Sequence, residues 1–313
     1  MKQRQVEGIS FIQSTFGDWL WKVTSMKDDS EIEAELQIHK GKREVDDYRL
    51  CGLYDKPKGE SRVFEVEYEK QENMRVHEEV VHAYYKTVLE ALQYGSPIIM
   101  AGGHCTWAPG VVGALSTYLG SDAEIGIIWI DAHGDIKTEI TSDNRLLAGM
   151  PLGTILGFGM ERWRLSGGLQ KPLDGRNVLI SDYRVQTPEV ENDLKKSGIR
   201  ILDTAGFNDS RKWKEAVEEI ASKVDALYLH IDIDILKAKY IPAFASVFKT
   251  PGGNEMDVVI NNIRTVMETG KVYAYGVYNT LFDTDDFGYE VTTLTGMKLI
   301  AAGIESWKYY PSK

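Results

Sequence analysis

Three short stretches of this chain gather side chains able to hold a metal ion. Asp131-Ala132-His133-Gly134-Asp135 puts two carboxylates and an imidazole within five residues. Asp232-Ile233-Asp234 adds two more carboxylates, and Gly102-Gly103-His104-Cys105 adds an imidazole and a thiol behind two glycines. Taken singly, each has an ordinary reading. The first suits a loop with helix-capping aspartates, the second is common turn chemistry, and the third is a tight turn with a buried structural thiol. Their placement changes the balance. Each directly follows an apolar run, at 125–130, 226–231 and 97–101 respectively. Carboxylates buried together are prohibitive unless a cation neutralises them. Four aspartates and a histidine suit a hard or borderline divalent ion such as Mn²⁺, with two ions bridged by shared carboxylates.

The elements that must position these groups alternate. Val76 to Gln93 has apolar residues at helical spacing, with Gly95 as a C-cap. Short apolar runs at Pro97–Ala101, Ile125–Ile130, Asn177–Ile180, Ile199–Leu202, Ala226–Ile231 and Val272–Tyr278 read as buried strands. Helical patterns separate or follow them: Val111 to Leu119, Pro188 to Lys196, Arg211 to Lys223, Met256 to Glu268 and Leu294 to Trp307. Such alternation predicts a parallel sheet covered on both faces. Ligands in such sheets bind beyond the carboxyl ends of the strands. The first seventy residues are less regular. Gly8–Ile12 and Arg62–Val66 read as strands, and the charged stretch from Lys27 to Asp47 as a solvated helix and loop. With no linker-like segment and no clear repeat, one domain over 1–313 is expected, its N-terminal part (about 1–73) divergent.

Composition narrows the function. The 313 residues carry 36 Lys plus Arg against 47 Asp plus Glu, a net charge of −11. That balance disfavours a nucleic-acid or anionic-membrane binder. No run is long enough to span a bilayer, and Met1–Glu7 lacks the apolar segment of a secretory signal. Two cysteines, Cys51 and Cys105, cannot make a disulfide framework, so a cytoplasmic protein is expected. His39, His77 and His82 read as ordinary histidines, Trp19, Trp21 and Trp107 as packing residues, and Glu305 as a solvated residue. Trp107 also sits beside the proposed metal loop. Gly157-Phe158-Gly159 lacks the pattern of a nucleotide loop.

The motifs resemble those of the arginase and agmatinase (ureohydrolase) family. Asp131-Ala132-His133-Gly134-Asp135 resembles its Asp-Ala-His-x-Asp signature, and His230-Ile231-Asp232-Ile233-Asp234 its Ser-x-Asp-x-Asp signature. Gly102-Gly103-His104-Cys105-Thr106 is similar to its Gly-Gly-Asp-His-Ser turn, and Gly149-Met150-Pro151 and Thr250-Pro251-Gly252-Gly253 resemble two further loops. The likeness covers roughly residues 74 to 310. It implies a three-layer α/β/α sandwich around an eight-stranded, mainly parallel sheet. It also implies two Mn²⁺ ions whose bridging hydroxide attacks a planar C–N carbon. By position, Asp131 and Asp232 bridge the ions, Asp135 binds the first, and His133 and Asp234 bind the second. A small-molecule substrate and a homo-oligomer follow from the same likeness.

The departures bear on metal and substrate. The family's sixth ligand, the His of Gly-Gly-Asp-His, falls on Cys105, and His104 stands where the family has Asp. A thiolate favours Zn²⁺ over Mn²⁺, so Zn²⁺ or a single ion is an alternative. The register set by the glycines favours Cys105 as the inward-facing residue, with His104 as the other candidate. The family's catalytic His falls on Ala148, which carries no proton, so no catalytic acid or base is assigned. Its guanidinium-binding Glu falls on Asn279, and its α-amino-binding Asp near Gln186. Asn279, Gln186 and Ala148 thus mark a substrate pocket unsuited to arginine or agmatine. Two classes of function follow. The first is a metal-dependent hydrolase of another amidine, guanidine or amide. The alternative is a catalytically silent binding or regulatory protein on the same fold. Between them stands the single-Zn²⁺ pattern of the related deacetylases.

Overall fold

The structure is a computed structural model that describes residues 2–14, 27–39, 48–186, 188–280 and 289–312. Trp19, Trp21 and the side chain of His39 lie outside the described residues. Among the described residues there are ten strands: β1 (Gln3–Gln5), β2 (Ser10–Ser14), β3 (Arg62–Val66), β4 (Ile98–Ala101), β5 (Ile125–Ile130), β6 (Val178–Ser181), β7 (Arg200–Leu202), β8 (Ala226–Asp232), β9 (Val272–Tyr278) and β10 (Tyr309–Pro311). Eight of them form one sheet in the order β3-β2-β4-β9-β8-β5-β6-β7. Every neighbouring pair in it is parallel. β1 and β10 pair antiparallel, Arg4 opposite Tyr310, and tie the start of the chain to its end.

Parallel pairing requires crossovers, and these bury the sheet on both faces. Alternate residues of the central strands therefore point into two separate cores. Met100, Ile127, Trp129 and Tyr228 pack on one face with the helices Val76–Gln93 and Ala108–Leu119. Ile99, Ile128, Leu229 and Tyr275 pack on the other, with the helices Ser210–Lys223, Met256–Met267 and Tyr289–Ser306. The result is a three-layer α/β/α sandwich.

The helix after β4 begins at Ala108 rather than at Val111, because Pro109 suits the first turn, where no N–H bond is needed. The first inner strand runs Ser10–Ser14 rather than Gly8–Ile12. Gly8 instead lies hard against Glu60, where a Cβ would meet the Glu60 carbonyl oxygen at 2.0 Å. Residues ahead of position 74 thus supply two strands of the main sheet, β2 and β3.

The turn that leaves β4 depends on glycine. Gly103 has φ 101°, and a Cβ there would lie 1.7 Å from the Trp107 ring. Trp107 in turn stacks on Tyr84 with centroids 4.0 Å apart. Gly103→Ala should therefore lower the unfolding free energy by about 2–5 kcal/mol through strain plus overpacking. Gly120 has φ 99° but open space around it. Gly120→Ala should cost only the strain, about 1–3 kcal/mol. Equal losses in urea denaturation would show that the Trp107 contact does not constrain this turn.

Candidate metal centre

Strands β4, β9, β8, β5 and β6 are consecutive in the sheet, and their carboxyl ends deliver all the singled-out residues to one edge. Among the described residues, three of the six non-glycine positions with positive φ follow directly or closely on these strands: Asp135 (47°), Asp182 (59°) and Asn279 (61°). Left-handed backbone at such positions costs energy and persists only where the surroundings impose it.

The carboxylates are held by backbone and ring donors. The Asp131 carboxylate accepts from Trp129 Nε1 at 3.0 Å and from the His133 amide at 2.7 Å. Asp232 accepts from the Asp234 amide at 2.9 Å, and Asp234 from the Ala132 amide at 3.1 Å. His133 Nδ1 lies 2.8 Å from Asp234 Oδ2 and 3.6 Å from Asp131 Oδ1. Ligand atoms of Asp131, His133 and Asp234 all fall within 4.8 Å of one another. Asp131, Asp135, Asp232 and Asp234 are all buried, whereas the His133 side chain is 40% exposed at the cleft.

Cys105 is buried, and its thiol donates to Asp232 Oδ2 at 3.3 Å. His104 is also buried, but its Nδ1 accepts from the Thr106 amide of its own turn at 3.4 Å. The Asn279 amide donates to Asp232 Oδ2 at 2.5 Å and lies 3.8 Å from Cys105 Sγ. Above these groups opens a cleft of about 300 Å³. Its lining includes His104, Cys105, His133, Asp135, Asp232, Asp234 and Asn279, together with Ala148 and Gln186. Every residue singled out for substrate contact thus faces the same space. Among the metal candidates only Asp131 stands behind the lining.

Sequence reading assigned no role to His230. It sits two residues before Asp232 on β8, so alternation turns it to the same face. That spacing was the available signal. It is fully buried between Trp129 (centroids 3.4 Å apart) and Tyr278 (4.4 Å). A second missed feature is the brace beside the site. The Arg184 guanidinium pairs with the buried Asp182 and donates to the carbonyl of Asp234 at 2.8 Å. His82 and Glu305 match their ordinary readings. His82 Nδ1 lies 3.1 Å from the Ser166 carbonyl, and Glu305 pairs with Lys56 at 2.8 Å.

Burial dominates the electrostatics. It pushes Asp131 up to about 7, with the Asp234 charge adding to the effect. Asp135 and Asp232 are pushed well above the carboxylate range by burial and then by neighbouring aspartates. Burial alone would depress His133, but its hydrogen bonds and charge contacts with Asp131 and Asp234 more than offset this and hold it up to about 12. Burial would likewise raise Asp234, yet the His133 contact keeps it below its ordinary value. Burial drives His104 down to about 3 and the Cys105 thiol well up. Without a cation the cluster therefore retains protons.

An all-parallel α/β/α sandwich with a carboxylate-rich cleft at the carboxyl edge defines a class of protein. Within that class, the arginase family model matches residues 28–303, and the chain belongs to the arginase family. A relative, the arginase of Brevibacillus brevis, is 29% identical over 172 residues, which are 52% of this chain and 56% of that protein. The alignment thus spans little more than half of that relative. Among solved structures, the Entamoeba histolytica arginase in complex with L-ornithine superposes with a TM-score of 0.74 at 16% identity, covering 96% of this chain and 98% of that one. Formimidoylglutamase from Bacillus subtilis superposes with a TM-score of 0.62 at 15% identity, covering 98% and 89%.

The carboxyl shifts have a signed consequence. A group whose folded pKa is raised contributes stability that is present below its unfolded pKa and lost as pH rises through the folded one. For Asp131 that window runs from about 4 to about 7. In chelator, the wild-type protein should lose stability relative to Asp131→Asn across this window, as read by urea denaturation at several pH values. A difference between the two that does not change with pH would contradict the protonated cluster.

Proposed function

We propose that this protein is a metal-dependent hydrolase that cleaves a linear C–N bond in a small amidine, guanidine or amide. One observation carries the reading. Four aspartates lie buried together at the foot of a cleft, and among the described residues their one ion-pair partner is His133. Burying four carboxyls against a single imidazolium leaves a negative site that suits a divalent cation. Membership of the arginase family supports the same conclusion.

In this assignment Asp131 and Asp232 are shared between two positions. Cys105 and Asp135 belong to the first, with His104 as the alternative to Cys105, and His133 and Asp234 belong to the second. Divalent ions bound there would supply Lewis-acid polarisation of the substrate and a water acidified towards neutral pH. The chain's own residues bind and orient. Phe244 and Phe248 give the cleft an apolar wall, and Lys137, Asn144 and Gln186 offer polar groups. Ala148 faces the cleft without a proton to move, and the Asn279 amide is tied to Asp232. A neutral amide and a lysine in the lining both disfavour a guanidinium cation.

A second reading, a silent binding protein, draws on Asn279. Its N–H group donates to the Asp232 oxygen and the Cys105 sulfur that a metal would also use. Metal analysis of the purified protein separates the two. One or two tightly held ions favour the hydrolase, and none after saturation with Mn²⁺ and Zn²⁺ favours the silent reading.

Arginine and agmatine should be turned over at least about 10²–10⁴-fold below ordinary enzyme rates, because the position of the proton shuttle is alanine. Urea release from either at ordinary turnover would refute the substrate assignment. Ammonia or amine release from a panel of small amides, amidines and guanidines other than arginine and agmatine, abolished in Asp234→Asn, is the positive result expected.

A further inference from the structure

We propose that His230 is a ligand of the first metal position, and that Cys105, Asp131 and His230 form a thiolate–carboxylate–imidazole site that prefers Zn²⁺. The inference rests on the metal-centre reading above and adds His230, which neither position of that reading includes. A ligand atom from each of the three residues lies within 4.8 Å of the others, and all three residues are buried. His230 Nδ1 is taken by the Tyr228 hydroxyl at 2.9 Å. Nε2 is buried with no hydrogen-bond partner among the described residues. A buried polar atom left bare is costly, and a cation next to the thiol and carboxylate would satisfy it.

The surroundings fix the ring for this role. Trp129 lies parallel to the imidazole at 4°, and Tyr278 covers the other side at 22°. In the tautomer that the proposal requires, Nδ1–H donates to the Tyr228 hydroxyl and the lone pair stands on Nε2; the Tyr228 and Tyr278 hydroxyls lie 2.6 Å apart. A metal-ligating histidine usually donates its other ring N–H in this way. The sequence points to the same exchange. Where the motifs have His and Ser, this chain has Cys105 and His230: the imidazole leaves the glycine turn and reappears on β8, and a smaller side chain stands where it was. A tetrahedral ion held by these three would take its fourth ligand from Asp135 or Asp232, both assigned above to the same position. Tetrahedral Zn²⁺ would hold the ligand atoms roughly 3.3–3.8 Å apart, inside the 4.8 Å within which they lie. The neighbouring Asp131–His133–Asp234 group has only oxygen and nitrogen donors and suits Mn²⁺ as well.

The test loads metal-free protein with one equivalent of Co²⁺ or Zn²⁺. Wild type should show a thiolate-to-cobalt charge-transfer band, and X-ray absorption of the zinc form should find one sulfur at about 2.3 Å. His230→Ser should weaken Zn²⁺ binding on the order of 100-fold or more, and Tyr228→Phe by about 10–100-fold. Unchanged affinity and cobalt spectrum in a folded His230→Ser protein would overturn the inference. If that variant does not fold, the His104→Ala/His133→Ala double variant decides. Its zinc form should retain one imidazole scatterer beside the sulfur, and loss of imidazole would overturn the assignment. Metal bound with no sulfur ligand would refute the thiolate–carboxylate–imidazole site and leave the hydrolase reading intact. Failure to bind any divalent ion would refute both.

Discussion

Mutual repulsion among four buried carboxyls is the constraint around which this structure is arranged. Asp131, Asp135, Asp232 and Asp234 come from the ends of two adjacent strands, β5 and β8, so the parallel sheet itself forces them together. The fold answers partly with donors. Amides of Ala132, His133 and Asp234 and the Trp129 indole all point at carboxylate oxygens. It answers partly with His133, held protonated by the two aspartates it touches. The rest is left to protons or to a cation. A core built for stability alone would not keep such a cluster, since apolar residues of similar volume are commonly neutral or stabilising in its place.

The same constraint explains where backbone strain sits. Asp135 turns left-handed just after its motif, and Asp182 and Asn279 do so at the ends of β6 and β9. Each keeps a buried polar side chain at the carboxyl edge. Asn279 is further anchored by its backbone N–H, which donates to the Gly103 carbonyl at 3.0 Å. That bond ties the β9 exit to the glycine turn after β4, and the packing of Gly103 on Trp107 fixes the turn in its place.

Much of this was legible in the sequence, for a physical reason. Strands β4, β5, β8 and β9 are buried on both faces and so read as continuous apolar runs, and the motif residues begin where the runs stop. The N-terminal strands were harder because β2 buries Ser10, Gln13 and Ser14, polar residues that blur any apolar pattern. Its start was misplaced because Gly8 marks a close backbone approach rather than the strand. β7 is only three residues long. The role of His230 was hidden by its setting. In a strand buried on both sides, alternation carries no polar–apolar contrast, so an imidazole facing the site looks like any other core residue. The Asp182–Arg184 brace was illegible for a different reason. It depends on loops far apart in the chain, since Arg184 also donates to the Pro251 carbonyl at 3.0 Å.

The departures from the family motifs do not fall at random around the cluster. Asp131, His133 and Asp234 keep the motif residues and lie within 4.8 Å of one another. Cys105, His104, Ala148, Asn279 and Gln186 all depart from the motifs, and all five line the cleft. Asn279 and Cys105 meet at Asp232, the carboxylate shared between the two proposed positions. A change of donor at 105 therefore alters the charge on that oxygen and the group that orients it together. Under the proposed assignment, glutamate at 279 would place a fifth carboxylate against Asp232 unless the first position already held a cation tightly. Metal choice and substrate choice are in this way one electrostatic problem, posed by the strand ends and answered by the residues that face them.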